Sequence, residues 1–178
     1  MKSSPEASIS VRGAAPGDAE AVAGIYNHYV ADTIVTFEEE PVPASEIARR
    51  MEEIRLAGLP WLVAERAGAV EGYAYARLWR PRRGYRFSAE VAVYVATDQA
   101  GRGIGSSLYA ELLAGLEKRD VHAAMGGIAL PNDPSVALHE KFGFRKVAHL
   151  EQVGFKFDRW IDVGYWQRIF QAAGPARR

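Results

Sequence analysis

A glycine-rich loop is the part of this sequence whose chemistry follows most directly from its residues. The loop Gly101-Arg102-Gly103-Ile104-Gly105 follows an apolar run that ends at Val95, and it precedes apolar residues at helical spacing. A strand, a glycine loop and a helix in this order leave unpaired backbone N–H groups at the helix N-terminus, where the helix dipole favours negative charge. The pattern therefore predicts an anion-binding loop, and phosphate is a common occupant of such loops.

The kind of phosphate is restricted by what surrounds the glycines. A P-loop needs a lysine after its last glycine, and residues 101–106 contain none. A Rossmann dinucleotide site needs its third glycine one position later than Gly105 and an acidic residue at the end of the next strand, which instead ends in Gly127-Ile128-Ala129. A coenzyme A pyrophosphate site and a plain strand-to-helix turn both remain open on the residues alone.

Two side chains near the loop could move protons. Glu90 is a carboxylate in the otherwise apolar run 87–95, which makes it a candidate general base; the alternative is an edge-strand carboxylate that faces water. His139 is a candidate proton donor because histidine titrates near neutral pH; the alternative is a packed or surface histidine. The other histidines lack the spacing of metal ligands, so we expect no metal site.

An arginine-rich run, residues 79–86, ends four residues before Glu90. Arginine binds a carboxylate through two parallel hydrogen bonds, so this run could hold the carboxylate of a substrate, or it could be a solvated loop. Nucleic-acid binding is disfavoured because the 22 basic and 22 acidic residues leave no net charge.

The elements that position these residues follow from hydrophobic spacing and turn residues. The 178 residues suffice for one domain with a sizeable core, which we place at residues 8–171 between flexible segments 1–7 and 172–178. The predicted order is β-α-α-β-β-β-α-β-α-β-β, an α/β (α+β) fold with a mixed sheet. Helix caps are predicted at Asp18, Ser45 and Asp133. The predicted strands are 8–13, 61–66, 70–78, 88–97, 121–129, 144–150 and 164–170, and residues 32–37 have strand character.

Composition also bears on the location of the protein. The chain has no cysteine, which excludes disulfides, a thiolate nucleophile and sulfur-ligated zinc. No apolar run approaches the ~20 residues of a membrane span. We therefore expect a cytoplasmic protein that binds neither nucleic acid nor membrane.

The loop and several further segments together resemble the GNAT superfamily of N-acetyltransferases. The shared segments are Val93-Tyr94-Val95 with the loop, Asn132-Asp133-Pro134-Ser135, and residues 138–144. Within the superfamily, residues 25–29, 88–95, 154–160 and 162–164 look like the phosphinothricin and methionine sulfoximine acetyltransferases. The resemblance covers residues 9–170 and implies the GNAT acyl-CoA N-acyltransferase fold, in which a bulge splays a mid-sheet strand pair of a mixed sheet flanked by helices.

The resemblance implies acetyl-CoA as the co-substrate and a site for it that is built largely from backbone groups. The N–H groups of residues 93–95 would face the thioester and the pantetheine, and the glycine loop would hold the pyrophosphate. Ala100 departs from the pattern, since Gln or Arg is frequent at that position. The implied coenzyme-binding residues are Val93, Tyr94, Val95, Gly101, Arg102, Gly103, Ile104, Gly105, Ser106, Asn132 and Ser135.

The resemblance further implies direct acetyl transfer to the amino group of a small amino-acid-like substrate. Glu90 would act as the base through a water molecule, and His139 would protonate the leaving thiolate. A homodimer is implied, with Lys156 reaching the pocket of the partner subunit. Acetylation of protein N-termini or of another amine, and a coenzyme A-binding sensor without turnover, are the alternatives. The implied substrate-binding residues are Phe37, Tyr75, Arg80, Arg82, Arg86, Glu90 and Lys156.

Overall fold

The computed structural model describes residues 8–170, which form a seven-stranded mixed sheet in the order β1-β2-β3-β4-β5-β7-β6. The predicted order of elements is confirmed, and the predicted flexible segments lie outside the described residues. The strands are β1 (Ser10–Gly13), β2 (Trp61–Arg66), β3 (Ala69–Leu78), β4 (Ser88–Val95), β5 (Ala123–Ala129), β6 (Arg145–Lys156) and β7 (Arg159–Ile169). The helices are α1 (Ala19–Asp32), α2 (Ala44–Leu56), α3 (Ile104–Glu117) and α4 (Asp133–Lys141). Within residues 8–170, none of these helices has the length and apolar character to cross a membrane.

The sheet has a core on each of its faces. On one face α3 buries Ile104, Leu108 and Leu116, whose spacing of four residues or its multiples places them on one side of the helix. On the other face α1 and α2 pack against side chains such as Tyr73. Because successive strand residues point to opposite faces, Tyr73 belongs to the second core while its neighbour Ala74 belongs to the first.

The sheet opens between its two central strands. β4 and β5 run parallel but pair over three residues only, from Ser88↔Ala123 to Glu90↔Met125. Beyond Glu90 the strands separate, so the predicted splayed pair is confirmed. The expected bulge is absent from β4, because the β3–β4 register is unbroken from Gly72↔Val95 to Leu78↔Ala89. The separation is therefore a loss of pairing with β5 rather than a distortion of β4.

The C-terminal hairpin is longer than predicted. β6 continues to Lys156 and β7 begins at Arg159. The sequence predicted shorter strands, at residues 144–150 and 164–170. The two turn residues Phe157 and Asp158 have φ of 51° and 55°, the left-handed conformation that a two-residue hairpin turn needs. Residues 32–37, predicted with strand character, form no strand.

The predicted helix caps are also corrected. The Asp18 carboxylate accepts the Ala15 N–H at 2.7 Å and binds Arg12, so it is used before α1 and caps no helical N–H. Ser45 lies within α2, which is preceded by Pro43. The cap of α4 is Asn132 in place of the predicted Asp133, as described below.

Candidate active site

The glycine loop joins the end of β4 to the start of α3. Gly101 and Gly103 have φ of 79° and 83°, a left-handed backbone that glycine adopts without strain. Gly103 caps α3, and its carbonyl accepts the Ser107 N–H at 3.0 Å. Within the described residues, no hydrogen bond takes up the N–H groups of residues 102–106. The loop thus presents a row of free donors at the N-terminus of a 14-residue helix, as an anion site requires.

A lysine from α4 supplies positive charge beside this loop. Lys141 Nζ donates to Ser106 Oγ at 2.9 Å, and Arg102 in the loop itself is exposed. Lys141 was not predicted from the sequence, because it lies 35 residues from Ser106 along the chain. Free N–H donors together with this ammonium group fit the pyrophosphate of a coenzyme A molecule.

The start of α4 carries two of the predicted coenzyme-binding residues, Asn132 and Ser135. Asn132 caps the helix, with its Oδ1 accepting the Ser135 N–H at 3.2 Å, so this oxygen is committed to the protein itself. Both residues remain partly exposed. Their contact with a coenzyme stays a prediction.

The backbone of β4 directs its polar groups alternately to β3 and to the opening beside β5. The Ala96 N–H donates to the Glu71 carbonyl at 2.8 Å. In an antiparallel ladder this bonding alternates from residue to residue. The backbone N–H and C=O groups of the even-numbered residues of β4 therefore bond to β3, and those of the odd-numbered residues face the opening. Val93 and Val95 therefore face the opening. Tyr94 does not, and its predicted role as a backbone donor to the coenzyme is corrected.

Tyr29 of α1 reaches into the same opening. Its hydroxyl donates to the Val95 carbonyl at 2.6 Å and lies 3.4 Å from the Val95 nitrogen. Burial raises the pKa of Tyr29, so the hydroxyl remains a donor. Of the predicted backbone trio, Val93 is then the residue that faces the opening without a side-chain partner among the described residues.

Glu90 lies at the last residue pair before β4 and β5 separate. Its side chain is 19% exposed, and Oε2 accepts a hydrogen bond from Arg77 Nε at 2.7 Å. Oε1 points toward β5, where a Cβ added to Gly127 would lie 3.5 Å from it. A cavity of about 360 Å³ opens in front of the carboxylate. Since β4 is the fourth of seven strands, the edge-strand alternative is excluded, and the Glu90 carboxylate lies at the mouth of the opening; its role as a base stays a prediction.

Arg77 is the cation of this cavity, although the sequence analysis did not select it. It stands directly opposite Glu90 in the β3–β4 ladder. It lines both the cavity in front of Glu90 and an adjoining cavity of about 770 Å³ between α2 and the sheet. Arg77 could have been predicted from strand alternation, because side chains two residues apart in a strand point to the same face and Tyr75 was already a predicted wall residue.

Aromatic side chains form much of the wall that the two cavities share. Tyr75 stacks on Trp61 with ring centroids 4.6 Å apart, and Phe37 lies on the loop after α1. Both were predicted as wall residues and both line the cavities, while their contact with a substrate stays a prediction. The residues common to both cavities are Thr36, Phe37, Tyr75, Arg77 and Tyr94.

The arginine-rich run does not reach Glu90. Arg80 and Arg82 line a separate surface pocket formed by their own loop, and Arg80 lies over the Trp79 ring. Arg86 lies over the Phe87 ring at 4.2 Å and donates to the Arg83 carbonyl. Arg80 and Arg86 thus stack on aromatic rings of their own loop, and all three arginines are exposed. Their predicted role as a carboxylate clamp beside Glu90 is corrected, since the arginine that lines the cavity in front of Glu90 is Arg77.

His139 lies in the core rather than at either cavity. It is 3% exposed, its Nε2 is 2.7 Å from the Tyr109 hydroxyl, and its Nδ1 is 2.7 Å from the Ser135 carbonyl. A carbonyl only accepts, so Nδ1 carries the proton and Nε2 accepts from Tyr109. Burial lowers the pKa of His139 and favours this neutral form. The predicted donor to the leaving thiolate is therefore corrected to a packed histidine with both nitrogens engaged.

Lys156 is buried within its own subunit. Its ammonium group donates to the Val30 carbonyl at 2.7 Å and to the Thr36 carbonyl at 2.9 Å. Burial lowers the pKa of Lys156. A side chain that is 2% exposed and held by two carbonyls does not extend to a partner subunit, so that prediction is corrected.

A sheet that opens between two parallel central strands, with a carboxylate at the opening and an anion loop at its far end, defines an acyl-transfer site for a coenzyme A thioester. The family model described as "Acetyltransferase (GNAT) domain" matches residues 11–164. The chain belongs to the GNAT acetyltransferase family.

Individual relatives resemble this chain over nearly its whole length. It is 40% identical to a phosphinothricin N-acetyltransferase from Streptomyces viridochromogenes, over 95% of this chain and 92% of the relative. It is 35% identical to an L-methionine sulfoximine/L-methionine sulfone acetyltransferase from Salmonella typhimurium, over 94% and 98% of the two chains. The solved structure of a phosphinothricin acetyltransferase from Sinorhizobium meliloti in complex with AcCoA superposes with a TM-score of 0.90 at 32% identity, covering 96% of this chain and 93% of that one.

Proposed function

We propose that this protein transfers the acetyl group of acetyl-CoA to the α-amino group of a small amino-acid-like substrate, of the phosphinothricin or methionine sulfoximine type. The observation that carries this proposal is the pairing of Arg77 with Glu90 in a cavity beside the opening between β4 and β5. An amino acid offers a carboxylate to a guanidinium and an ammonium group to a carboxylate, so this pair matches both ends of it. The names of the phosphinothricin and methionine sulfoximine relatives support the same substrate class.

Acetyl-CoA supplies the acetyl group as a thioester that an amine can attack. The free N–H groups of residues 102–106, with Lys141 beside them, would hold the pyrophosphate. The Val93 backbone, which faces the opening, would hydrogen-bond the part of the coenzyme that enters it. The loop and β4 would therefore bind neighbouring parts of the same coenzyme molecule, since β4 leads into the loop within a few residues.

Glu90 removes the proton that the amine must lose. The substrate arrives as an ammonium ion, and only the deprotonated nitrogen attacks a carbonyl carbon. Oε1 of Glu90 faces the opening while Oε2 is held by Arg77, so Oε1 is the oxygen positioned to accept the proton, directly or through a water molecule. Because His139 is enclosed in the core and no other histidine of residues 8–170 lines either cavity, we assign the leaving thiolate no histidine donor.

The test is a thiol-release assay with acetyl-CoA and a panel of phosphinothricin, methionine sulfoximine, free amino acids and short peptides. We expect turnover with amino-acid-like amines, and we expect Glu90→Gln to lower the rate at neutral pH by about 10²–10⁴-fold. The loss should shrink at high pH, where the amine is already deprotonated. Glu111→Gln, an exposed carboxylate on α3, is the matched control and should retain full activity.

Each part of the proposal has its own contrary result. No thiol release with either named compound or any amino acid would refute the substrate class, and turnover of peptides alone would favour acetylation of protein N-termini. Tight binding of acetyl-CoA without any transfer would favour a sensor. A full rate for Glu90→Gln at neutral and high pH alike would refute the role of Glu90 as the base.

We further propose a homodimer in the cytoplasm. Exposed apolar side chains cluster on the β6–β7 hairpin, and aromatic residues of this kind are enriched in interfaces. Light scattering after size-exclusion chromatography tests the dimer, and cell fractionation tests the location; a monomer at micromolar concentration or a membrane-bound fraction would contradict them. The exposed apolar residues of the hairpin are Val147, Leu150, Val153, Phe155, Phe157, Trp160 and Ile169.

A further inference from the structure

The end of β6 supports the loop that carries one wall of the substrate cavity. Of the residues in β6, Gly154 and Lys156 are the two that are buried, and all others are exposed or half-buried. The β6–β7 register shifts between Leu150 and Gly154, which re-aims this end of the strand. Both buried residues contact the loop 33–37, whose last residues are Thr36 and Phe37.

Gly154 has no side chain, and the Phe37 ring occupies the space that a side chain would fill. A Cβ added at Gly154 would lie 2.2 Å from Cζ and 2.3 Å from Cε1 of Phe37, far inside the ~3.5–4.0 Å of a favourable carbon–carbon contact. The ring therefore lies flush against the backbone of β6. Its other side lines both cavities, so the absence of a side chain at Gly154 sets how far Phe37 projects toward the substrate.

Lys156 fixes the backbone that carries this ring. Its Nζ joins the Val30 carbonyl in the last turn of α1 to the Thr36 carbonyl, and the Thr36 hydroxyl in turn lies 2.7 Å from the Tyr26 hydroxyl. An ammonium group suits the last turn of a helix, where carbonyls lack partners and the dipole is negative. These contacts hold Thr36, the residue before Phe37, to β6 through Lys156 and to α1 through Tyr26.

We propose that Gly154 and Lys156 are positioning residues that determine which amines the enzyme accepts, by fixing Phe37 as a size limit of the substrate cavity. This inference rests on the proposed function, because it assigns the cavity to the amine. Neither residue touches the substrate. They affect the choice of substrate only through the position of the Phe37 ring.

The first test is Gly154→Ala, assayed by thiol release with a series of α-amino acids of increasing side-chain length. The methyl group displaces the ring by about 1.5 Å toward the cavity to restore an ordinary contact. A pocket that loses the space of about one methylene discriminates by about tenfold or more, so kcat/KM should fall by that factor for long substrates relative to short ones. Gly24→Ala in α1, where nothing lies within 4 Å of the added Cβ, is the matched control and should keep the wild-type order.

A double-mutant cycle separates this effect from a general loss of structure. Phe37→Ala should raise the relative kcat/KM of long substrates, and in that background Gly154→Ala should have little further effect because the clashing ring is gone. An unaltered size preference in Phe37→Ala, or an equal effect of Gly154→Ala with and without the ring, would overturn the inference. An inactive wild-type enzyme on the whole series would instead refute the proposed function.

The second test is Lys156→Met, which keeps the stem of the side chain and removes the ammonium group. We expect KM for the amine to rise several-fold while KM for acetyl-CoA stays within about twofold of wild type, since the coenzyme loop lies at the other end of β4. Equal changes in both KM values, or no change in either, would show that Lys156 does not act through the amine site.

Discussion

Arg77→Gln tests which arginine recognises the substrate. The variant removes the guanidinium opposite Glu90 and keeps a shorter, uncharged polar side chain. A hydrogen bond to a charged group contributes about 1.5–3 kcal/mol. Because the Arg77 side chain is 59% exposed, solvent screening reduces the loss to about 1–2 kcal/mol, which corresponds to about 5- to 30-fold in KM for the amine.

The assay is thiol release at fixed saturating acetyl-CoA, with an α-amino acid and with the matching amine that lacks the carboxylate. The loss should appear for the amino acid and be much smaller for the amine, because the amine has nothing for the guanidinium to bind. Arg86→Gln is the control, since Arg86 lies over Phe87 outside the cavity, and it should leave both KM values unchanged. A loss for Arg86→Gln with none for Arg77→Gln would refute the reasoning and restore the arginine-rich run as the carboxylate site.

Two further predictions concern the coenzyme loop and the pH dependence of stability. Lys141→Ala removes the ammonium group beside Ser106, so KM for acetyl-CoA should rise several-fold while KM for the amine stays constant in the same assay; equal KM values for the variant and the wild type would place the pyrophosphate elsewhere. The Arg12 hydrogen bonds lower the pKa of Asp18, so Asp18 stabilises the fold above its unfolded pKa of about 3.9 and this stabilisation is lost as the pH falls through the folded value. In urea unfolding, Asp18→Asn should cost about 1–2 kcal/mol at pH 7 and progressively less in acid, and a pH-independent gap would show that the charge plays no part.

The sequence predicted those parts of the fold in which local pattern and tertiary structure agree. The spacing of Leu108 and its neighbours in α3, and the alternation in β2 and β3, describe surfaces that are buried in the structure. The two strands of the C-terminal hairpin were predicted too short because its turn residues, Phe157 and Asp158, adopt positive φ without the glycine or asparagine that usually marks such a turn. The conformation accompanies pairing of β6 with β7 on both sides of the turn, and such pairing is not visible in a single segment.

Site residues were predicted where the site is formed by consecutive residues of the chain. They were missed where the site depends on the register between two strands. The glycine loop forms its donors within a few residues, so its sequence suffices to predict them. Arg77 meets Glu90 because the intervening loop sets the pairing of β3 with β4, and a one-residue slip would have placed another side chain there. His139 shows the reverse case, because its type suggests chemistry while its two hydrogen bonds, to Tyr109 and Ser135, assign it to the core.

The separation of β4 from β5 creates a strand edge in the interior of the sheet. Outer edges are the usual sites of unwanted pairing between chains, whereas this edge is reached only through a cleft that closes at Glu90↔Met125. The β4–β5 ladder, which joins β1–β4 to β5–β7 in the sheet, covers three residue pairs, and beyond Glu90 the odd-numbered N–H groups of β4 have no strand partner among the described residues. Amide hydrogen exchange should therefore be faster at Val93 than at the paired residues of β4, and a bound coenzyme should slow it, which makes exchange at one strand a direct report of how ligand binding joins the halves of the molecule.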